Sequence, residues 1–109
     1  MTVNPRIDAL LRMVERNPTD PRPRFGLALE YEKAELWEDV VLQLRQYLEL
    51  AEDEGNAWGR LGAALRRLGR EEEARAAYRT GIEAARKHGH PSMAGELEGE
   101  LNGEGAEDG

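Results

Sequence analysis

Apolar residues recur at spacings of three and four along most of the chain, which is the period of an amphipathic helix. The spacing is clearest in two segments: Ile7, Leu10, Leu11 and Val14, and then Leu61, Ala64, Leu65 and Leu68. Alternating apolar and polar residues, which would indicate a half-buried strand, are almost missing. The pattern therefore predicts an all-α protein.

Residues that break helices separate these segments. Asn17-Pro18 ends the first apolar segment, and Asp20-Pro21 is typical of an N-cap followed by proline at the first helical position. Helices are predicted over residues 5–16, 21–34, 37–51, 55–68, 71–88 and 91–102. Because the connections are so short, consecutive helices are expected to pack as antiparallel neighbours.

The chain matches itself when it is shifted by 34 residues. Residues that coincide share a size class or a role: Leu27 with Leu61, Ala28 with Gly62, Tyr31 with Leu65, Val40 with Ala74, Leu44 with Tyr78, and Leu48 with Ile82. A small residue between large ones lets two helices approach closely. The same shift places residues 5–16 on the second half of a repeat, so this helix is interpreted as a half-repeat whose first half is missing.

Six residues of the second repeat carry a family resemblance: Trp58, Leu61, Gly62, Leu65, Ala74 and Tyr78. Their spacing resembles the tetratricopeptide repeat pattern W-x2-L-G-x2-Y followed by A-x3-F. The first repeat is a more degenerate copy, with Arg24 in the tryptophan position. Gly81 stands where a small alanine is typical, a change expected to weaken the packing of the second helix slightly.

The resemblance, to small bacterial-type members of the family, implies a short right-handed α-solenoid. Two full repeats, over residues 21–54 and 55–88, would follow the N-terminal helix 5–16. Residues 91–102 match a first helix only after a slip of two residues, and they are expected to form a C-terminal capping helix. All of residues 1–102 would form one domain, and the acidic segment 103–109 is expected to be disordered.

The resemblance also implies a binding surface, because the first helices of successive repeats line a concave face. The residues expected there are Arg22, Phe25, Leu29, Glu32, Lys33, Asn56, Gly59, Ala63, Arg66 and Arg67. Non-catalytic binding of a peptide or helix from a partner protein is therefore the predicted function.

Residues of three kinds are expected to contribute to ligand binding on that face. Phe25 and Leu29 would supply apolar contact area, and Gly59 would leave room beside them. Arg66 and Arg67, expected on the side of their helix away from the core, would bind a carboxylate of the ligand.

Self-assembly is the alternative function. Residues 24–57 carry three cations and nine carboxylates, whereas residues 60–87 carry eight cations and four carboxylates. The acidic repeat of one copy would then meet the basic repeat of another in a homo-oligomer. Such an assembly would weaken as salt is added.

Other classes of function receive little support. The net charge of -7 argues against nucleic acid as a partner, because a phosphate-binding surface needs a dominant basic field. Cysteine is absent, which excludes disulfides and thiolate metal sites and leaves the redox compartment open. No apolar run approaches the length of a signal peptide or membrane span, so a cytoplasmic protein without membrane contact is expected. No nucleophile with a nearby base is evident, and neither an enzyme nor a cofactor is predicted.

Several conspicuous residues are interpreted as structural. His88 and His90 lack a third metal ligand, so the segment His-Gly-His-Pro is interpreted as a helix end and no metal is predicted. Gly69 is expected to cap its helix in the left-handed conformation. The run Glu71-Glu72-Glu73 opens a helix, where carboxylates favour the positive end of the helix dipole.

Overall fold

The computed structural model describes residues 4–103. This part of the chain contains no strand and has six helices: α1 (Pro5–Arg16), α2 (Arg22–Lys33), α3 (Trp37–Leu50), α4 (Asn56–Arg67), α5 (Glu71–Lys87) and α6 (Pro91–Leu101). The all-α prediction is confirmed, and each predicted helix end lies within one residue of the observed end. Apart from Gly103, the acidic segment predicted to be disordered lies outside the described residues. The solenoid and the single domain stay predictions.

Side-chain oxygens accept hydrogen bonds from amides at the starts of α1 and α2, where the first turn leaves N–H groups without partners. At α1, Asn4 Oδ1 accepts from the backbone N–H of Arg6 at 3.0 Å and of Ile7 at 3.2 Å. At α2, Asp20 Oδ1 accepts from the backbone N–H of Arg22 at 3.1 Å. The predicted N-cap at Asp20 is therefore wrong by one residue, because α2 begins at Arg22 and its N-cap is Pro21.

Three helices end in the same backbone motif, in which a residue with positive φ reverses the chain. That residue is Glu35 after α2 (φ 59°), Gly69 after α4 (φ 78°) and Gly89 after α5 (φ 77°). After α4, the N–H of Arg70 donates to the carbonyl of Leu65 at 2.9 Å, and the equivalent bond closes the other two ends. The predicted left-handed cap at Gly69 is thus confirmed.

Glu35→Gly is expected to stabilise the protein, because a side chain in the left-handed region costs about 1 kcal/mol that glycine does not incur. The reciprocal change, Gly69→Ala, should lower the free energy of unfolding by a similar amount. No atom lies within 4 Å of where the new β-carbon would be, so backbone strain alone is tested. Urea denaturation of both variants measures the effects. A loss of stability in Glu35→Gly would contradict the positive φ at that position.

The chain divides into two compact units, with the boundary between Glu52 and Asp53. Unit 1 contains α1, α2 and α3, and in it α2 packs against both of the other helices. Unit 2 contains α4, α5 and α6, and in it α5 packs against both of the others. Packing between consecutive helices within a unit agrees with the predicted antiparallel neighbours.

The core of unit 1 comes from α2 and α3. Leu27, Ala28, Val40 and Leu44 are all 0% exposed. Helix α1 contributes no fully buried residue. It packs on α2 through Leu10, whose methyl groups would lie 3.1–3.3 Å from a β-carbon at Gly26.

Unit 2 is built around close contacts at glycines. A β-carbon at Gly62 would lie 2.9 Å from ring carbons of Tyr78, so the first and second helices of this repeat approach closely there. A β-carbon at Gly81 would lie 2.9 Å from Trp58 Cβ and 3.0 Å from Leu97 Cδ1. The expectation that Gly81 weakens the packing is therefore wrong, because Trp58 and Leu97 fill the space that its missing side chain leaves.

The two hairpins keep the predicted register. Helices α2 and α4 begin at Arg22 and Asn56, and α3 and α5 begin at Trp37 and Glu71. The two first helices start 34 residues apart, and so do the two second helices. The residues with positive φ that follow the first helices, Glu35 and Gly69, are also 34 residues apart. The same local structure therefore occurs twice, in the register that the sequence repeat predicts.

The two hairpins fill one equivalent pair of core positions with residues of different sizes. Gly62 faces the large ring of Tyr78 in unit 2, and the equivalent residues in unit 1 are Ala28 and Leu44, both fully buried. A smaller residue on the first helix thus accompanies a larger one on the second. Such compensation keeps the filled volume similar, which a close-packed core requires.

Candidate interaction surfaces

Arg66 lies at the end of α4 and its side chain is only 19% exposed. Its guanidinium donates to both carboxylate oxygens of Glu71, from Nε at 3.1 Å and from Nη2 at 2.9 Å. A third bond runs from Nη1 to the backbone carbonyl of Glu100 at 2.8 Å. The group also lies over the ring of Tyr78, 5.0 Å from its centroid. Arg66 thus joins all three helices of unit 2.

The two hydrogen bonds between Arg66 and Glu71 shift the pKa of both residues. The hydrogen bonds with Glu71 raise the pKa of Arg66, and the same bonds lower the pKa of Glu71. Burial raises the pKa of the Tyr78 hydroxyl, although the neighbouring Arg66 opposes this shift. The expectation that Arg66 points away from the core is therefore wrong, because its donors already bind groups of its own chain.

Arg66→Ala is expected to lower the free energy of unfolding by about 1–2 kcal/mol, since hydrogen bonds to a charged group and packing on Tyr78 are lost together. Arg67→Ala, at the next and exposed position, should change stability by about 0.5 kcal/mol or less. Thermal and urea denaturation of the two variants provide the comparison. Equal stability of the two would contradict the placement of Arg66 between the helices.

Gly59 does not form an open space on α4. A β-carbon at this position would lie only 2.7 Å from Leu97 Cδ2 of α6. Since Gly81 of α5 also contacts Leu97, the two glycines form a socket for that side chain. The repeat pattern does not predict this contact, because α6 fits the pattern only after a slip of two residues.

The remaining α4 positions of the predicted surface are open to solvent. Asn56, Ala63 and Arg67 are exposed. They are the first, eighth and last residues of α4, so they follow one another along its length. This part of the predicted surface is accessible in unit 2.

The predicted residues on α2 are partly occupied by contacts within unit 1. Phe25 is half-buried, and its ring lies 5.1 Å from that of Tyr47 at an angle of 48°. Leu29 and Glu32 are half-buried. The α2 surface therefore offers a partly covered aromatic ring beside a half-buried leucine.

The two predicted cations of α2 both have acidic neighbours. Arg22 is exposed and donates to both oxygens of Asp20, at 3.0 and 2.9 Å. Lys33 lies 3.4 Å from Glu30, whose carboxylate also accepts from Arg6 at 2.7 Å. The hydrogen bond from Arg6 lowers the pKa of the Glu30 carboxyl.

The predicted surface is thus distributed over both units, with half of its residues on α2 and half on α4. Within each unit its members lie on a single helix. That the α2 and α4 residues form one binding surface stays a prediction.

A groove between α5 and α6 was not predicted. It is open, has a volume of about 430 Å³, and is lined by Arg79, Ile82, Glu83, Arg86, Glu98, Leu101 and Asn102. Ile82 and Leu101 supply its apolar part, and an ion pair between Arg86 and Glu98 links the two helices. Below, we call it the α5/α6 groove.

Both histidines have hydrogen-bond partners within unit 2. His88 Nδ1 lies 2.9 Å from the carbonyl of Ala84 within α5. His90 Nε2 lies 2.6 Å from a carboxylate oxygen of Glu54, and this hydrogen bond lowers the pKa of Glu54. Their positions at and just after the end of α5 agree with the interpretation of this segment as a helix end.

Residues 4–103 show neither a metal site nor a membrane span. No group of three or more His, Cys, Asp or Glu side chains there is arranged to hold a metal ion. None of the helices described has the length and apolar composition needed to cross a bilayer. Comparison with known proteins finds no protein-family model that matches the chain and no curated protein with significant similarity to it.

Proposed function

We propose that this protein is a non-catalytic protein-binding module of the tetratricopeptide type. The observation that carries the proposal is the register of its two hairpins, whose helices and left-handed turns recur 34 residues apart. Repeated helix hairpins leave one face of each first helix available, and arrays of such faces bind segments of other proteins. Here those faces belong to α2 and α4.

The chemistry of the two faces defines the ligand. On α2, Phe25 and Leu29 supply apolar area that a side chain of the ligand would extend. On α4, Ala63 leaves space and Arg67 places an exposed guanidinium at the end of the helix. A ligand segment with a large apolar side chain suits the α2 face, and a segment with a carboxylate suits the α4 face.

The roles of the two arginines differ in this proposal. Arg66 holds α4 against α5 and α6 through Glu71 and the Glu100 carbonyl, so it supports the surface. Arg67 is the residue that meets the ligand carboxylate. Reversing its charge would bring two negative groups together, which costs an interface several kcal/mol.

The test is a selection of binders from a displayed library of random peptides of about 12 residues, long enough for three helical turns. Selected peptides should be enriched in acidic residues and in large apolar residues. Arg67→Glu should weaken their binding by at least tenfold (about 1.4 kcal/mol), and Phe25→Ala should weaken it independently.

Arg12→Glu on α1 is the matched control, because it makes the same charge reversal at an exposed position of another helix. Its affinity for the peptides should equal that of the wild type. Equal losses in Arg12→Glu and Arg67→Glu would show that net charge alone governs binding. Failure to select any acidic peptide would contradict the proposed ligand.

A further inference from the structure

Helix α6 covers part of the α4 face on which a ligand was expected. Leu97 lies in the socket of Gly59 and Gly81 and is 8% exposed. Just before α4, a β-carbon on Gly55 would lie 2.7 Å from Met93 Sδ, so α6 also approaches the backbone closely there. Below, we call the surface under α6 the α4/α5 cradle; its residues are Gly55, Gly59, Arg66, Arg75 and Gly81.

Two arginines of the cradle bind the end of α6 through its main chain. Arg66 Nη1 donates to the carbonyl of Glu100 at 2.8 Å, and Arg75 Nη1 donates to the carbonyl of Leu101 at 3.1 Å. Any α-helix presents acceptors of this kind, because its last four carbonyls have no partner within the helix. These two bonds therefore suit a helix end of almost any sequence.

Helix α6 has little stability of its own. Of its 11 residues, only Ala94 and Leu97 are buried. Glu98 and Glu100 stand in its last turn, where the negative end of the helix dipole disfavours carboxylates. Gly95 is exposed, and no atom of the described residues lies within 4 Å of where its β-carbon would be, so packing does not require glycine there. Contacts with the cradle, more than its own sequence, hold α6 in place.

We propose that the α4/α5 cradle is a binding site for a helix of a partner protein, and that α6 is a displaceable cover of this site. The partner helix carries a small residue and, three residues later, a leucine, as α6 does at Ala94 and Leu97. An acidic residue follows the leucine directly, because Arg86 of α5 pairs with Glu98 at that position. Segments that move on binding come from the least stable parts of a fold, and α6 meets this condition.

The weakness of α6 favours a partner helix over α6 of a second copy. A helix with alanine at the position of Gly95 keeps the contacts with the cradle and gains about fourfold in helix stability. A second copy offers the same weak helix without the tether that joins α6 to α5. The tether gives the resident helix an effective concentration on the order of 1 mM, so an identical untethered helix would not displace it at lower concentrations.

The cradle is a different site from the exposed peptide surface proposed above. It uses neither Arg67 nor Phe25, and it becomes accessible only when α6 leaves. Failure of Arg67→Glu to weaken peptide binding would therefore leave this inference intact, and the reverse also holds.

Fluorescence anisotropy with the full chain tests the proposal. The labelled probe is a peptide with the sequence of residues 90–103 and alanine at the position of Gly95. Gly95→Ala in the protein strengthens the cover and should weaken probe binding about fourfold, because the open cradle becomes rarer. Leu97→Asp in the protein releases the cover and should strengthen binding at least tenfold. Leu42→Asp, at a position of α3 that is 50% exposed, is the control and should bind like the wild type.

Hydrogen exchange with and without the probe locates the binding site. The bound probe should accelerate exchange of the α6 amides of the protein, while α4 and α5 stay protected. The same probe with aspartate at the position of Leu97 should have no effect. If Leu97→Asp loses its helical circular dichroism, the comparison of Gly95→Ala with the wild type decides, since that variant keeps every contact of α6.

Four outcomes would overturn the proposal. The first is no binding of the probe to any of these proteins up to roughly 1 mM, which would make α6 a fixed part of the fold. The second is equal affinity of Gly95→Ala and the wild type. The third is binding that leaves the exchange of α6 unchanged, which would point to another surface. The fourth is a wild-type homodimer that the probe dissociates, which would make α6 of a second copy the occupant.

Discussion

Gly62→Leu should lower the free energy of unfolding by about 3 kcal/mol, because the new side chain enters a space already filled by Tyr78. Even a β-carbon would lie 2.9 Å from the ring, and Tyr78 itself is 2% exposed, so the ring has little room to move. The close contact is therefore with the second helix of the same repeat. Urea denaturation, followed by circular dichroism, measures the loss.

Gly95→Leu is the matched control for this prediction. Gly95 also lies within a helix, but it is exposed and no atom lies within 4 Å of where its β-carbon would be. There the same substitution should raise the free energy of unfolding by about 0.5–1 kcal/mol, since leucine has the higher helix propensity. Opposite signs at the two glycines are the expected result. A loss at both positions would mean that Gly62 is not specially packed.

Leu97→Ala should lower the free energy of unfolding by about 2–5 kcal/mol, because it empties the socket that Gly59 and Gly81 form. The side chain is 8% exposed, and the two glycines cannot move side chains into the cavity because they have none. The loss should appear in unit 2, where hydrogen exchange of amides in α6 would accelerate most.

Leu42→Ala provides the control, since Leu42 is 50% exposed on α3. Its cost should be about 0.5 kcal/mol or less. A similar small cost in Leu97→Ala would show that α6 does not pack into unit 2 as described.

The helices were predicted well from the sequence because the signals at which they begin and end are local. Asn4 and Asp20 accept hydrogen bonds from amides two residues later, and Gly69 reverses the chain immediately after its helix. Most residues that coincide after a 34-residue shift are buried, among them Leu27 and Leu44, whereas Tyr31 and Leu48 of the same set are half-buried. Periodicity identifies the apolar face of a helix without knowledge of its neighbours.

Residues whose role depends on a distant helix were not predicted. Arg66 occupies a position that helical periodicity assigns to the surface, but its long side chain reaches Glu71 and the Glu100 carbonyl. Gly59 was interpreted as open space, whereas Leu97 of α6 covers it. In both cases the missing information was where α6 lies, and the slip of two residues in its repeat register concealed this.

The candidate interaction surfaces also differ in how far the sequence predicts them. Arg67 and Ala63 are exposed, as their helical positions suggest. The α5/α6 groove, by contrast, depends on the distance between two helices and on the ion pair between Arg86 and Glu98 that spans them. Neither property is encoded in the spacing of apolar residues along one helix.

The central claim is that one helix hairpin occurs twice in this chain, in the same 34-residue register. Backbone chemical shifts and three-bond HN–Hα couplings from NMR of the full chain test it most directly. The expected result is helix over Arg22–Lys33 and Asn56–Arg67, with positive φ at both Glu35 and Gly69. A helix that continues through either residue, or a positive φ at only one of them, would contradict the claim.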